Sequence, residues 1–500
     1  MENSKDNGGK ISFESALDKT GFGLYSFLNT MLSGLAIISM ACLVYGSTIV
    51  VPASACELQT TGSQRGILVA APVIGLILGA PLWGYLGDTR GRRSMLILSL
   101  LSSALINAVS AISVNWIMLM ILQFIASLLS AAQYTLSMTL LSECVPMGKR
   151  NLVVLLVSSI FMLSQGIMAA LAIPIIPFTF SFYLSTLDIY WNSWRTLVVV
   201  YSLPSLVAAC CFYFMQESPK FALVKGDEPR ALKILAAIHR VNHKKGAVLE
   251  IKGLIPEVLL RDMGLTAKDQ LVPLFKAPLL KHTIILSFLF MFQLTGSFVT
   301  WLPTIANRVI RMIEIGEADG MTICEILNAD IEMPVDPNAV PCALNTTSLL
   351  IVLLVGVFQS VINAFLTVVV VNRAGRRNTA MVVAAVVGFC GIMVNLVPNT
   401  IGTSVFFGGF LMGIIVMGLY TAIAVALFPT HLRAMAMALT MTAGRITSFA
   451  GIQIINFLLF SNCDLGFYLF AAIFASSAVI ASFLPDDRFL RKSPPKNQES

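Results

Sequence analysis

The stretch Gly84-Tyr85-Leu86-Gly87-Asp88-Thr89-Arg90-Gly91-Arg92-Arg93 lies between two long apolar segments, and a shorter echo, Asn372-Arg373-Ala374-Gly375-Arg376-Arg377, recurs 284 positions later. A second pair of loops keeps nearly the same offset: Pro146 and Arg150 map onto Pro429 and Arg433, 283 positions on. Two independent loops with one spacing read as an internal duplication, which in a membrane protein points to paired bundles with a site between them. The second copy has lost the acids. Asn372 stands where Asp88 would be, and Ala426 where Glu143 would be.

Composition agrees with a membrane chain. Of 500 residues, 57% are hydrophobic and 12% charged, and the mean hydropathy is +0.83, which excludes an ordinary soluble domain. Crossing the hydrocarbon core takes about 20 apolar helical residues. Segments of that kind lie near 29–53, 66–87, 94–114, 116–141, 151–177 and 195–215, then near 282–304, 348–371, 379–398, 402–428, 434–460 and 466–484. The expected fold is an all-α polytopic membrane protein, with twelve transmembrane helices as two pseudo-symmetric six-helix bundles over 29–215 and 282–484. Residues 1–28 form an N-terminal segment, 216–281 a helical linker and 485–500 a tail.

Basic residues set the orientation. If residues 1–28, 88–93, 142–150, 216–281, 372–377, 429–433 and 485–500 face the cytosol, 28 of the 33 Lys and Arg lie there. The positive-inside rule therefore places both termini in the cytosol. The net charge of +7 follows from this topology and calls for no nucleic-acid partner. No cleavable leader is evident, so the first span is expected to act as its own insertion signal.

Within the linker, Asp227-Glu228-Pro229 reads as a helix start followed by apolar residues at helical spacing. His239 and His243 stand four apart there, but nothing completes a metal site, so they read as a solvated polar face. Of the nine cysteines, Cys324 and Cys342 share the loop between spans 7 and 8 on the oxidising side. They are the favoured disulfide, with Cys56 and Cys463 as rival partners. Asn345-Thr346-Thr347 is a glycosylation sequon pressed close to span 8.

The Gly84-x-x-x-Asp88-x-x-Gly91-Arg92-Arg93 signature and its echo resemble the major facilitator superfamily. Within it, the sugar-porter and synaptic vesicle glycoprotein 2-related branch is similar in Trp194-Arg195, Glu217-Ser218-Pro219-Lys220, Gln293-Leu294-Thr295-Gly296, Leu427-Phe428-Pro429 with Arg433, and Gly444-Arg445. The resemblance covers residues 20–485. It implies gating roles for Gly84, Asp88, Gly91, Arg92 and Arg93, and for Gly375, Arg376, Arg377 and Arg433 in the repeat. Glu143 with Arg150 is a second candidate latch. The chain departs from sugar porters at Phe292, in lacking a carboxylate over residues 29–55, and in the ending Leu484-Pro485-Asp486-Asp487.

Polar side chains at membrane mid-depth are expensive and therefore informative. The candidate solute contacts are Gln123, Gln133, Tyr134, Gln165, Gln293, Gln359, Asn363, Tyr420 and Arg445. Amides offer both donors and acceptors to a solute, yet they also serve as bonds between helices. Arg445 must find an anion, water or backbone carbonyls. No Asp or Glu lies deep in a span, which argues against a carboxylate proton relay, while Trp301 or Tyr134 could hold a cation by a ring face. The expectation is a monomeric plasma- or vesicle-membrane carrier of a small, neutral or anionic organic solute, without cofactor or metal and without enzymatic activity. A non-transporting binding protein of the same fold is the alternative.

Overall fold

The computed structural model describes residues 10–485 except 179, 186–187, 244–248, 250, 252, 255–271, 294, 330–343, 371–373 and 429. Its six first-half spans are Leu24–Ser54, Gly62–Arg90, Arg92–Ser110, Trp116–Cys144, Met147–Ala172 and Ser193–Tyr213. The second half follows with Leu279–Ile315, Thr346–Phe365, Arg376–Met393, Thr400–Leu427, Thr430–Ser461 and Cys463–Ser482. Eleven described helices are long and apolar enough to cross a bilayer, and the 32-residue Thr430–Ser461 makes the twelfth long one.

The duplication seen in the sequence has a backbone counterpart. Gly91 and Gly375, each joining two spans at the equivalent turn, have φ of 105° and 82°, a region that side chains with a Cβ rarely enter. A Cβ at Gly91 would also fall 2.7 Å from Glu217 Oε2. Gly84 has open space where a Cβ would go, so its place in the signature is not explained by packing.

Several spans are not continuous. Span 7 breaks between Met291 and Thr295, and span 10 passes through a 3-10 turn at Met412–Ile415. Breaks free backbone carbonyls that need partners in a dry interior. Two glutamines supply them: Gln293 Nε2 donates to Gly413 O at 2.6 Å, and Gln359 Nε2 to Leu411 O at 3.1 Å.

The N-terminal segment and the linker meet on one face of the bundle, termed here the linker face. Lys10 and Ile11 pair in parallel with Gly253 and Leu254. Helix Phe13–Lys19 packs on linker helix Glu228–Asn242 and on the start of span 5. Span 1 starts after Gly23 and span 5 after Pro146, neither of which offers a capping side chain. Both caps are borrowed. Asn242 Oδ1 accepts from Tyr25 N at 2.9 Å, and Asp18 Oδ1 from Met147 N at 3.0 Å, satisfying orphan amides of the first turn. One histidine of the pair departs from expectation: His239 is buried, its Nδ1 lies 3.1 Å from Lys19 O, and its ring stacks 4.1 Å from His243, which is exposed. The N-terminal helix covers His239 and leaves His243 at the surface.

The halves share an apolar core at the opposite face, where Leu344, Leu349 and Ile452 join Ile49, Val50, Leu68 and Trp194. Near the linker face, the first-half core running from Phe13 to Leu254 contains no buried residue of spans 7–12 among those described. The disulfide expectation is corrected here: Cys324 bonds Cys463, with Cα atoms 5.5 Å apart. Cys342 lies outside the described residues, and Cys56 is also disulfide-bonded. Asn345 caps span 8 and donates Nδ2 to Glu314 at 2.6 Å, so the sequon nitrogen is engaged.

Candidate solute site at the seam of the two halves

Spans 5 and 8 cross at paired glycines. A Cβ at Gly356 would lie 2.4 Å from Gly166 N, so backbones touch at this seam. Below the crossing, Asn363 Nδ2 donates to Ser159 Oγ at 3.2 Å and Ser360 Oγ to Ser159 O at 2.9 Å. Above it, Gln165 Nε2 reaches Val299 O at 3.5 Å. At the opposite face, Gln453 and Asn456 of span 11 donate to Gly66 O and Gly62 O of span 2, each at 3.1 Å. The halves are thus sewn together at mid-depth and at the opposite face.

Between these seams lies a group of side chains that retain accessible surface. Tyr45, Tyr134 and Phe161 from spans 1, 4 and 5 are part-buried. Phe161 takes both tyrosines edge-on, at 6.5 Å and 6.1 Å. Arg445 of span 11 stands close enough to both tyrosines to act on them electrostatically. Among the described residues its guanidinium has neither a hydrogen-bond nor an ion-pair partner. Arg445 is part-buried, and none of its nitrogens is among the buried unpartnered atoms.

The other sequence candidates fall into different places. Gln133 is fully buried and donates to Ser103 Oγ of span 3 at 2.8 Å, and Tyr420 donates to Ser477 Oγ of span 12 at 3.2 Å. Both bonds run toward the supporting spans of their own half, away from Arg445. Gln123 is buried with Oε1 unpartnered, as is Gln293 Oε1. Asn29 in span 1, absent from the sequence candidates, is fully buried with both amide atoms unpartnered. A lone amide in an apolar run was the signal available for it.

The charged cluster at the linker face is built within the first half. Buried Arg92 pairs with Asp88 at 3.2 Å and Glu143 at 3.3 Å, and it lies 5.2 Å over the ring of Phe221. Ser218 Oγ also donates to Glu143. Glu217 Oε1 accepts from Arg93 N at 2.9 Å, and Arg93 Nε donates to Phe212 O at 2.9 Å. Spans 2, 3, 4 and 6 are tied by these contacts. The expected Glu143–Arg150 latch is corrected: Arg150 pairs with Glu14 at 3.0 Å instead. The N-terminal helix brings a nearer acid to span 5 than span 4 does. In the repeat, Arg376, equivalent to Arg92, donates to Ala422 O at 2.9 Å. Arg377 Nε is buried and unpartnered. The side chain of Arg433 lies outside the described residues.

The comparisons agree with this architecture. The chain is 26% identical to the synaptic vesicle 2-related protein of Xenopus laevis over 242 residues, covering 48% of this chain and 41% of that protein. It is 28% identical to solute carrier family 22 member 2 of Rattus norvegicus over 216 residues, covering 43% and 35%. The matches thus span under half the length of these relatives. A partially occluded inward-open form of the Escherichia coli xylose transporter XylE superposes with a TM-score of 0.63 at 17% identity, over 93% of this chain and 100% of that one, a likeness of fold. The sequence signature of the Major Facilitator Superfamily matches residues 26–452. On that match the chain belongs to the major facilitator superfamily, a family of transporters and not of enzymes.

Proposed function

We propose that the protein carries a small organic solute, neutral or anionic, across its membrane by alternating access, with Arg445 as the anion-recognising residue. The observation that carries this reading is the unpaired Arg445 guanidinium opposite Tyr45, Tyr134 and Phe161 at the seam. Gln165, Asn363, Gln293 and Gln359 hold the two halves and the broken spans in register around it. The described form joins the halves at the opposite face, and alternating access asks the linker face, which the basic residues assign to the cytosol, to open and close in turn. No carboxylate lies deep in a span, so uniport or exchange fits better than proton symport.

Uptake by proteoliposomes across a panel of carboxylate, sulfate and neutral solutes tests the proposal. Arg445→Ala is expected to lower uptake of the anionic substrate about 10- to 100-fold, the value of one charge-assisted contact, while Arg445→Lys retains part of it. Flat uptake for every solute by well-folded protein favours a binding protein that no longer transports.

A further inference from the structure

A small, mainly apolar cavity lies at the opposite face, apart from Arg445. Its lining includes Thr48 of span 1, Arg65 of span 2, Trp301 and Thr304 of span 7, and Asn456 of span 11. Both halves therefore build it. The cavity is about 20 Å³, room for a water molecule or one monatomic ion but not for an organic solute.

The donor set around this cavity is unbalanced. Trp301 is 4% exposed, and its indole Nε1, which can only donate, is buried with no partner. Thr48 Oγ1 is likewise buried and unpartnered. Arg65 spends Nε on Thr60, at 3.2 Å to the carbonyl and 3.4 Å to the hydroxyl, which leaves the two terminal nitrogens of its guanidinium without partners among the described residues. No carboxylate lines the cavity. Asn456 Oδ1 is an unpartnered acceptor there, and the Thr48 hydroxyl can donate or accept. The orphaned indole N–H costs free energy, and Arg65, part-buried beside it, has no counter-ion among the described residues; one species answers both. A cation is repelled by the guanidinium, and water supplies no countercharge.

We propose that this cavity binds a monatomic anion of the chloride class, held by Arg65, Trp301 and Thr48. Because spans 1 and 2 come from one half and span 7 from the other, the ion binds only while this face is closed. By linkage it then favours the form closed at the opposite face. The site is independent of solute recognition at Arg445.

The test uses purified full-length protein melted at equal ionic strength in sodium chloride, bromide, formate or gluconate. Chloride and bromide are expected to raise Tm by about 2 °C over gluconate. Trp301→Phe, which keeps the ring and removes the N–H, and Thr48→Val should each abolish most of that rise with little change in gluconate. Arg445→Ala should keep the rise, so failure here and failure of the solute proposal read out separately. Equal Tm in halide and gluconate would mean that the cavity holds only water and would overturn the proposal. A rise that survives both variants, or one given by formate and not by halides, overturns it equally.

Discussion

Arg195 shows how a charge becomes structural in this fold. It is 1% exposed, yet every nitrogen is occupied: Nε donates to Tyr190 O at 3.0 Å, one terminal nitrogen to Ala111 O and Ser113 O, and the other to Glu57 at 2.5 Å. The ring of Trp194 lies 4.4 Å from the guanidinium and donates Nε1 to the same Glu57 at 2.6 Å. Removing the partner of a buried charge is costly, but the Glu57 side chain is 25% exposed, which holds the loss to about 2 kcal/mol. Glu57→Gln is therefore expected to lower thermal stability by about that amount, with Arg195→Met in the same background restoring part of it. An unchanged melting curve for Glu57→Gln would show that the three carbonyls suffice. The motif Trp194-Arg195 was legible in the sequence, but its partner was not, because Glu57 lies 138 positions away and nothing local marks it. Arg445 was legible for the opposite reason: a guanidinium inside an apolar run is conspicuous without knowledge of any neighbour.

At the scale of elements, the limits of the spans follow from hydropathy to within a few residues wherever a span supplies its own cap. The expected 116–141 became Trp116–Cys144, started by Asn115, whose side chain accepts from Met118 N at 2.8 Å. Span 1 was misplaced by five residues at its start because its cap comes from the linker. Asn242 Oδ1 accepts from Tyr25 N and Ser26 N, and Asn242 Nδ2 donates to Gly21 O at 2.8 Å, contacts that join positions more than two hundred residues apart. Substituting a capping residue by Ala costs about 1 kcal/mol. Asn242→Ala should destabilise the protein by about that and speed amide exchange at residues 24–28, leaving exchange in span 8 unaltered. Uniform exchange along span 1 in wild type and variant would assign the cap to packing instead. The breaks in spans 7 and 10 were illegible as breaks. Gln293 and Gln359 stood out only as mid-span amides, and their bonds to Gly413 O and Leu411 O are interhelical on the donor side, while Gln293 Oε1 is unpartnered.

For the whole molecule, the duplicated turn fixed the pairing of halves, while the asymmetry between the copies carries the consequence for gating. The first copy keeps its acids, and they are not equivalent. Glu143 is largely buried between Arg92 and Ser218, with its side chain 12% exposed, whereas the Asp88 side chain is 74% exposed and contacts Arg92 across the Gly91 turn that joins spans 2 and 3. In the described form, Glu143 therefore has its full complement of partners and Asp88 does not. A surface pair of the Asp88–Arg92 kind contributes at most about 1 kcal/mol, so Asp88 can give it up to a partner from the second half when the linker face closes. Asp88→Asn should then leave the described form nearly as stable but weaken the one closed at the linker face. The ratio of forms would shift toward the described one about fivefold. Cysteines introduced on the linker-face flank of the seam would label faster, and those at the opposite face slower. Glu143→Gln, by contrast, strips a buried guanidinium in both forms, so it should lower stability without a comparable change in labelling. Equal labelling shifts for the two variants, or none for Asp88→Asn, would reduce the cluster to a topology signal.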